Sequence, residues 1–200
     1  HQDGSTHEWV PGQKWDLIST MDDATNEHYS LFFCDEEGTA SSFQGVKEVI
    51  EKRGLFCSFY SDRGSHYWHT PAAGGKVDKS NLTQFGRAIA HLGITMIAAY
   101  SPEARGRSER AFATHQERLP KELALLGITT MAEANRYLRE TYLPAFNRDN
   151  VHLVDINAVG YHFHFISDDR TKGGHVLALE LSAGEVEVDY AREVVLRLSQ

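Results

Sequence analysis

Residues 1–34, HQDGSTHEWVPGQKWDLISTMDDATNEHYSLFFC, decide the fold, because they read as three strands in a row. Residues 14–22 (KWDLISTMD) and 28–34 (HYSLFFC) have strand character, and the turn-rich DATNE separates them. HQDGSTHEW is a candidate first strand, paired to 14–22 through the turn at Pro11-Gly12. Strands joined this closely form a meander.

Helices and strands then alternate. Phe43, Val46 and Ile50 recur at helical spacing within 41–53, and Gly54 is placed to end that helix. LFCSFY (55–60) reads as a short buried strand ending at Asp62. Residues 63–80 are loop-like, with Pro71 and the Gly74-Gly75 pair. A helix over about 82–92 closes at Gly93, and ITMIAAY (94–100) reads as another buried strand. Pro102 and Gly106 mark a loop before a helix near 107–119, which Pro120 kinks or separates from the next segment. Residues 130–142 form one more helix, capped by Thr130. A meander followed by helix–strand alternation predicts an α/β fold, a mixed sheet with helices on both faces. This is the element order of the ribonuclease-H-like fold. After NRDN (147–150) the composition shifts, and residues 151–200 are mostly strand-like, with four of the 11 histidines. Two domains are expected, 1–150 and a small β-rich appendage at 151–200.

At 41% hydrophobic and 24% charged, the 200 residues have the balance of a soluble globular chain. No apolar run approaches the roughly 18 residues of a membrane span, and HQDGSTHEW has neither the basic nor the apolar region of a signal peptide. The formal net charge of -8 excludes a broad basic surface but allows a local basic strip. Cys34 and Cys57 lie in apolar runs and are expected as buried strand thiols in a reducing, cytoplasmic setting.

Three acidic residues stand in distinctive settings: Asp3 in HQDGSTHEW, Asp62 in FYSDRGSHY and Glu109 in AYSPEARGRSERAF. Phosphoryl transfer between DNA strands uses two divalent ions about 4 Å apart, held by hard carboxylate oxygens. Asp3 and Asp62 lie side by side if their strands pair, and Glu109, just inside a helix, is placed to reach across. Asp16, Asp22 and Asp23 are rivals for the first ligand, the last two in a turn. Arg105, Arg107 and Arg110 cluster around Glu109, with Arg118 two turns on, where guanidinium groups suit DNA phosphates. Interleaved Glu103, Glu117 and Glu122 allow a solvated face instead. Ser65 and His66 are placed at the pocket rim.

YSDRGSHY and SPEARGRSER, with DLISTMDDAT, ELALLGI and LPAFNRDN, make residues 1–148 resemble the catalytic core of bacterial insertion-sequence transposases, of the retroviral-integrase superfamily. The resemblance implies Asp3, Asp62 and Glu109 as ligands of Mg²⁺ or Mn²⁺, and DNA as substrate and partner. It implies strand cleavage and joining as the reaction, by a homo-oligomer. With two residues ahead of Asp3 and no helix-turn-helix before the core, a truncated first strand and weak activity are expected.

The last quarter carries a different signal. His162 and His164 in YHFHF are two apart, which on a strand is one face, and His175 follows a turn-rich SDDRTKGG. Three imidazoles with a free fourth position make up a catalytic zinc site. GYHFHFISDDRTKGGHVLALEL and AGEVEV make residues 155–199 resemble the C-terminal part of acetolactate decarboxylases. That resemblance implies His162, His164 and His175 as Zn²⁺ ligands, and 2-acetolactate as the alternative substrate. Half the core of such an enzyme is absent, and some fifty residues seldom fold alone. An element running out of its own frame into a decarboxylase gene would produce the same order of segments, so a non-catalytic fusion is the third reading.

Overall fold

The computed structural model describes residues 1–72, 75–100 and 106–150, with four short strands at 163–166, 173–176, 185–188 and 194–197. Two compact units are present, His1–Met21 with His28–Phe146, and Asp22–Glu27 with Asn147–Gln200.

In the first unit, β1 (Gln2–Val10), β2 (Gln13–Met21) and β3 (His28–Cys34) form the expected meander, followed by α1 (Thr39–Arg53). Next come β4 (Ser58–Ser61), β5 (Trp68–His69), β6 (Asp78–Leu82), α2 (Gln84–His91) and β7 (Thr95–Ala98). The chain continues through α3 (Gly106–Leu125), α4 (Met131–Tyr137), a π-helical turn (Leu138–Tyr142) and α5 (Leu143–Asn150). The five-stranded sheet has the order β3-β2-β1-β4-β7. β1, β2 and β3 are antiparallel, whereas β4 runs parallel to β1 and β7 parallel to β4.

Strand alternation sends apolar side chains to both faces of this sheet. On one face Trp9, Trp15, Leu17, Leu31 and Phe33 pack with Phe112, Leu119 and Leu123 of α3 and with Leu138, Tyr142 and Phe146. On the other, Phe59 packs with Val46 of α1, Tyr67, and Phe85 and Ile89 of α2. The expected mixed sheet with helices on both faces is therefore the fold of this unit. α1 ends at Gly54, whose φ of 83° is open to glycine at little cost.

Several local expectations are corrected. The strand expected at LFCSFY begins only at Ser58, because β7 offers no partner before Thr95, the register partner of Ser58. Leu55 and Cys57 are consequently exposed, and Cys34 is only partly buried, so neither thiol is the buried strand cysteine expected. ITMIAAY is an edge strand rather than a buried one, and Ile97 is exposed. The loop expected over 63–80 contains β5 and the start of its partner β6. Pro120 does not separate two segments, the second of the roles expected for it, because it lies inside α3, which runs on to Leu125. The single helix expected at 130–142 is α4 and the π turn, which runs on into α5, and it is capped as expected by Thr130, which accepts from the Glu133 amide.

The second unit contains two antiparallel pairs. β8 (Phe163–Ile166) pairs with β9 (Gly173–Val176), and β10 (Glu185–Val188) with β11 (Val194–Arg197). No described helix is long and apolar enough to cross a membrane.

Candidate active site

A buried polar ladder sets the floor of the site. Gln2 is fully buried. Its amide nitrogen donates to Thr20 Oγ1 at 2.8 Å and to the Ser42 carbonyl at 3.3 Å, while its oxygen accepts from Tyr67 at 2.8 Å. Burial pushes the Tyr67 hydroxyl far up in pKa, so it stays protonated and donates. The ladder ties β1 to β2, α1 and the chain after β4. α1 passes so close that a Cβ at Gly45 would collide with the Gln2 amide.

Register then places the acids. Gln2 pairs with Ser61 across the parallel β1–β4 pair. Ser61 accepts from the Trp68 indole on the α2 side of the sheet. Asp3 and Asp62 each follow one residue later. Alternation turns Asp3 to the face opposite Gln2, and Asp62 is the first residue beyond β4, the neighbouring strand about 4.8 Å away. Asp3 is buried, and its Oδ2 accepts from Ser108 Oγ at 2.8 Å. Asp62 Oδ1 accepts from the Gly64 amide at 2.8 Å, which shapes the DRG turn.

Ser108 lies in the first turn of α3 and is followed by Glu109, which is exposed. The helix start is thus anchored at Asp3, with Glu109 about 100° further round the helix. Among the described residues, no group of three or more His, Cys, Asp or Glu is gathered closely enough to hold a metal ion. Asp3 and Asp62 follow the paired residues Gln2 and Ser61 on neighbouring strands, and Glu109 follows the Ser108 that bonds Asp3. The donor set is oxygen-only, and each carboxylate oxygen accepting one hydrogen bond keeps a second lone pair. That chemistry fits Mg²⁺ or Mn²⁺.

One neighbour, Glu37, was missed by sequence reasoning. The Glu37 carboxylate sits over Gly4, where any Cβ would collide with it. Glu37 Oε1 is 3.7 Å from His66 Nε2, too long for a hydrogen bond. Burial holds His66 below the usual histidine pKa, partly offset by Asp62. In the sequence Glu37 is one acid of a turn, DEEG, with no motif to mark it. Ser65 follows the Gly64 whose amide bonds Asp62.

The remaining candidates separate. Asp16 is on the opposite face of β2, accepting from Thr6 and, at 2.6 Å, from the Glu37 amide. Asp22 accepts from the Thr25 amide and hydroxyl at 2.9 and 2.8 Å, the turn role expected for it. Arg107 and Arg110 flank Glu109 on α3, and Arg110 is exposed. Arg118 lies about 15 Å along the helix from Ser108. Its guanidinium holds Glu122 at 3.1 Å and stacks on Tyr142, so it is not brought to the acids. Arg105 and His162 lie outside the described residues. His164 and His175 are register partners in the β8–β9 pair.

Acids at the ends of neighbouring parallel strands, beside a helix entry carrying a third, can be compared with known proteins. Over most of its length the chain is similar to insertion-sequence transposases. A Sinorhizobium fredii protein named as a transposase, y4bF, is 35% identical over 150 residues, covering 73% of this chain and 32% of the relative. The transposase for insertion sequence IS1202 of Streptococcus pneumoniae is 30% identical over 145 residues, covering 72% and 31%. The chain therefore spans about a third of the length of these curated relatives. The fold matches the HTLV-2 integrase catalytic core domain, solved in complex with magnesium. The TM-score is 0.54 at 13% identity, with 80% of this chain and 89% of that one covered. The family described as Alpha-acetolactate decarboxylase matches residues 140–200. Its Klebsiella aerogenes member is 50% identical over 46 residues, 23% of this chain and 17% of that enzyme. The transposase-like part thus has the ribonuclease-H-like fold, and the decarboxylase-like part is a short tail.

Proposed function

We propose that residues 1–150 are the catalytic core of a DNA transposition enzyme, with Asp3, Asp62 and Glu109 as ligands of two Mg²⁺ or Mn²⁺ ions. The observation that carries this reading is the Gln2–Ser61 register, which pairs the residues immediately before Asp3 and Asp62 on neighbouring strands. The transposase similarity and the magnesium-bound integrase core of the same fold support it. Bound ions would activate the attacking oxygen and stabilise the leaving one. The chain's own part is to hold the acids rigidly. Gln2 and Tyr67 lock the strand register, the Gly64 amide orients Asp62, and Ser108 orients Asp3.

DNA is the proposed partner, with Arg107 and Arg110 supplying phosphate contacts beside Glu109. These cations concentrate positive charge on the helix entry of a chain that is acidic overall. A homo-oligomer is the proposed working form, as the HTLV-2 integrase core was solved in a dimeric and a trimeric form. The test is Mg²⁺-dependent nicking of supercoiled DNA by the whole chain. Asp62→Asn is expected to reduce nicking to background, and nicking that persists unchanged would assign the chemistry to other residues.

A second reading concerns the tail alone, where His162, His164 and His175 are proposed Zn²⁺ ligands. The register pairing of His164 with His175 supports it. Elemental analysis is expected to find one zinc per chain, lost in His164→Ala. Zinc that is absent, or retained in that variant, would remove this reading.

A further inference from the structure

Asp3 is flanked by two serines from different elements. Ser108 of α3 is 1% exposed, and its Oγ donates to Asp3 Oδ2 at 2.8 Å. Ser19 of β2 is the direct cross-strand partner of Asp3. It is 2% exposed, and its Oγ is buried with no hydrogen-bond partner. Opposed residues of an antiparallel pair project to the same face with Cβ atoms about 4.5–5.5 Å apart. The Ser19 hydroxyl therefore stands beside the Asp3 carboxylate, on the side away from Asp62. A buried hydroxyl without a partner is unfavourable and uncommon. The polar ladder on the other face shows no such gap, since Gln2 bonds both Thr20 and Tyr67.

A carboxylate that turns one oxygen to a metal ion needs its other oxygen fixed, and hydrogen bonds from outside the ligand set do this. Resting on the reading above, we propose that Ser108 and Ser19 are the positioning pair of Asp3, with Ser19 bonding the carboxylate only when a divalent ion is bound. Ser108 holds Oδ2. Ser19 is the donor waiting on the β2 side when the carboxylate turns toward Asp62. The two hydroxyls thus bracket one oxygen-donor ligand from a strand and from a helix.

The test is a Mn²⁺ titration of the whole chain, read from the electron paramagnetic resonance of free Mn²⁺. Ser19→Ala, Ser19→Thr, Ser108→Ala and Asp62→Asn are compared with the native chain. Ser19→Ala is expected to weaken Mn²⁺ binding about tenfold, with its melting temperature in chelator unchanged or raised, since alanine removes the orphaned hydroxyl. Ser19→Thr keeps the hydroxyl and is expected to restore binding, and Ser108→Ala is expected to weaken it. Native Mn²⁺ affinity in a folded Ser19→Ala chain would overturn the inference. Asp62→Asn separates the two levels: if it also binds Mn²⁺ natively, the metal site itself is misassigned, whereas loss there with no change in Ser19→Ala removes only the role of Ser19.

Discussion

Ser108 donates to the carboxylate of Asp3 across 105 residues of sequence, at 2.8 Å and in a buried setting. This bond joins the start of α3 to the central strand. Because Glu109 is the next residue, it also fixes the helix end that carries the third acid. In the proposed site, two carboxylates would come from neighbouring strands and the third from where a helix begins.

The approach of α1 to β1 is the tightest constraint beneath the acids. Gly45→Ala would drive a methyl group into the Gln2 amide, which is itself held by Thr20, Ser42 and Tyr67. Overpacking of this kind costs about 1–3 kcal/mol. Urea unfolding is expected to show a lower midpoint, and an unchanged midpoint would mean that the helix shifts freely.

Asn135 of α4 serves the edge strand β3 as a substitute neighbour. Its Oδ1 accepts from the Phe33 amide at 2.7 Å, and its Nδ2 donates to the Phe33 carbonyl at 2.9 Å. Asn135→Ala leaves both backbone groups without this partner, at a cost of about 1–3 kcal/mol, and opens the edge to pairing with other chains. A lower melting temperature and concentration-dependent aggregation are expected by light scattering. Monodisperse behaviour at native stability would contradict this.

Stability is expected to fall in acid because of His115. It is buried with its Nδ1 2.9 Å from the Tyr142 hydroxyl. Burial first, then His28 and Arg118, hold its pKa well below the usual histidine value. The unfolded chain takes up a proton near pH 6.5 while the folded chain does not. The stabilisation is therefore fully present above about pH 6.5 and is lost as pH falls below it, by at most about 1.4 kcal/mol per pH unit. Melting temperatures from pH 7.5 to 5 are expected to decline, with a shallower slope in His115→Gln. Equal slopes in the two proteins would assign the acid sensitivity elsewhere.

Much of the fold was legible because it rests on local signals. The meander showed in strand runs broken by turns, and Gly54 and Gly93 marked helix ends, both with positive φ. The β5–β6 pair was not legible, since β5 is two residues long and β6, DKSNL, is polar and largely exposed, without apolar alternation. The edge position of ITMIAAY was hidden for another reason. Its apolar run looks like a central strand, and only the sheet order reveals the missing neighbour. Within the proposed site, Asp3 and Asp62 stood out through their flanking residues. Ser19, Ser108 and Glu37 carry no motif, and their roles arise from contacts between elements far apart in the chain.

The most direct test of the central claim is the position of Mn²⁺ in a crystal of this chain, located by its anomalous scattering. The account predicts manganese between Asp3 and Asp62, with carboxylate oxygens about 2.1 Å away and Glu109 turned in to a second ion about 4 Å from the first. Manganese bound elsewhere, or Asp3, Asp62 and Glu109 held well apart around a site without metal, would contradict it.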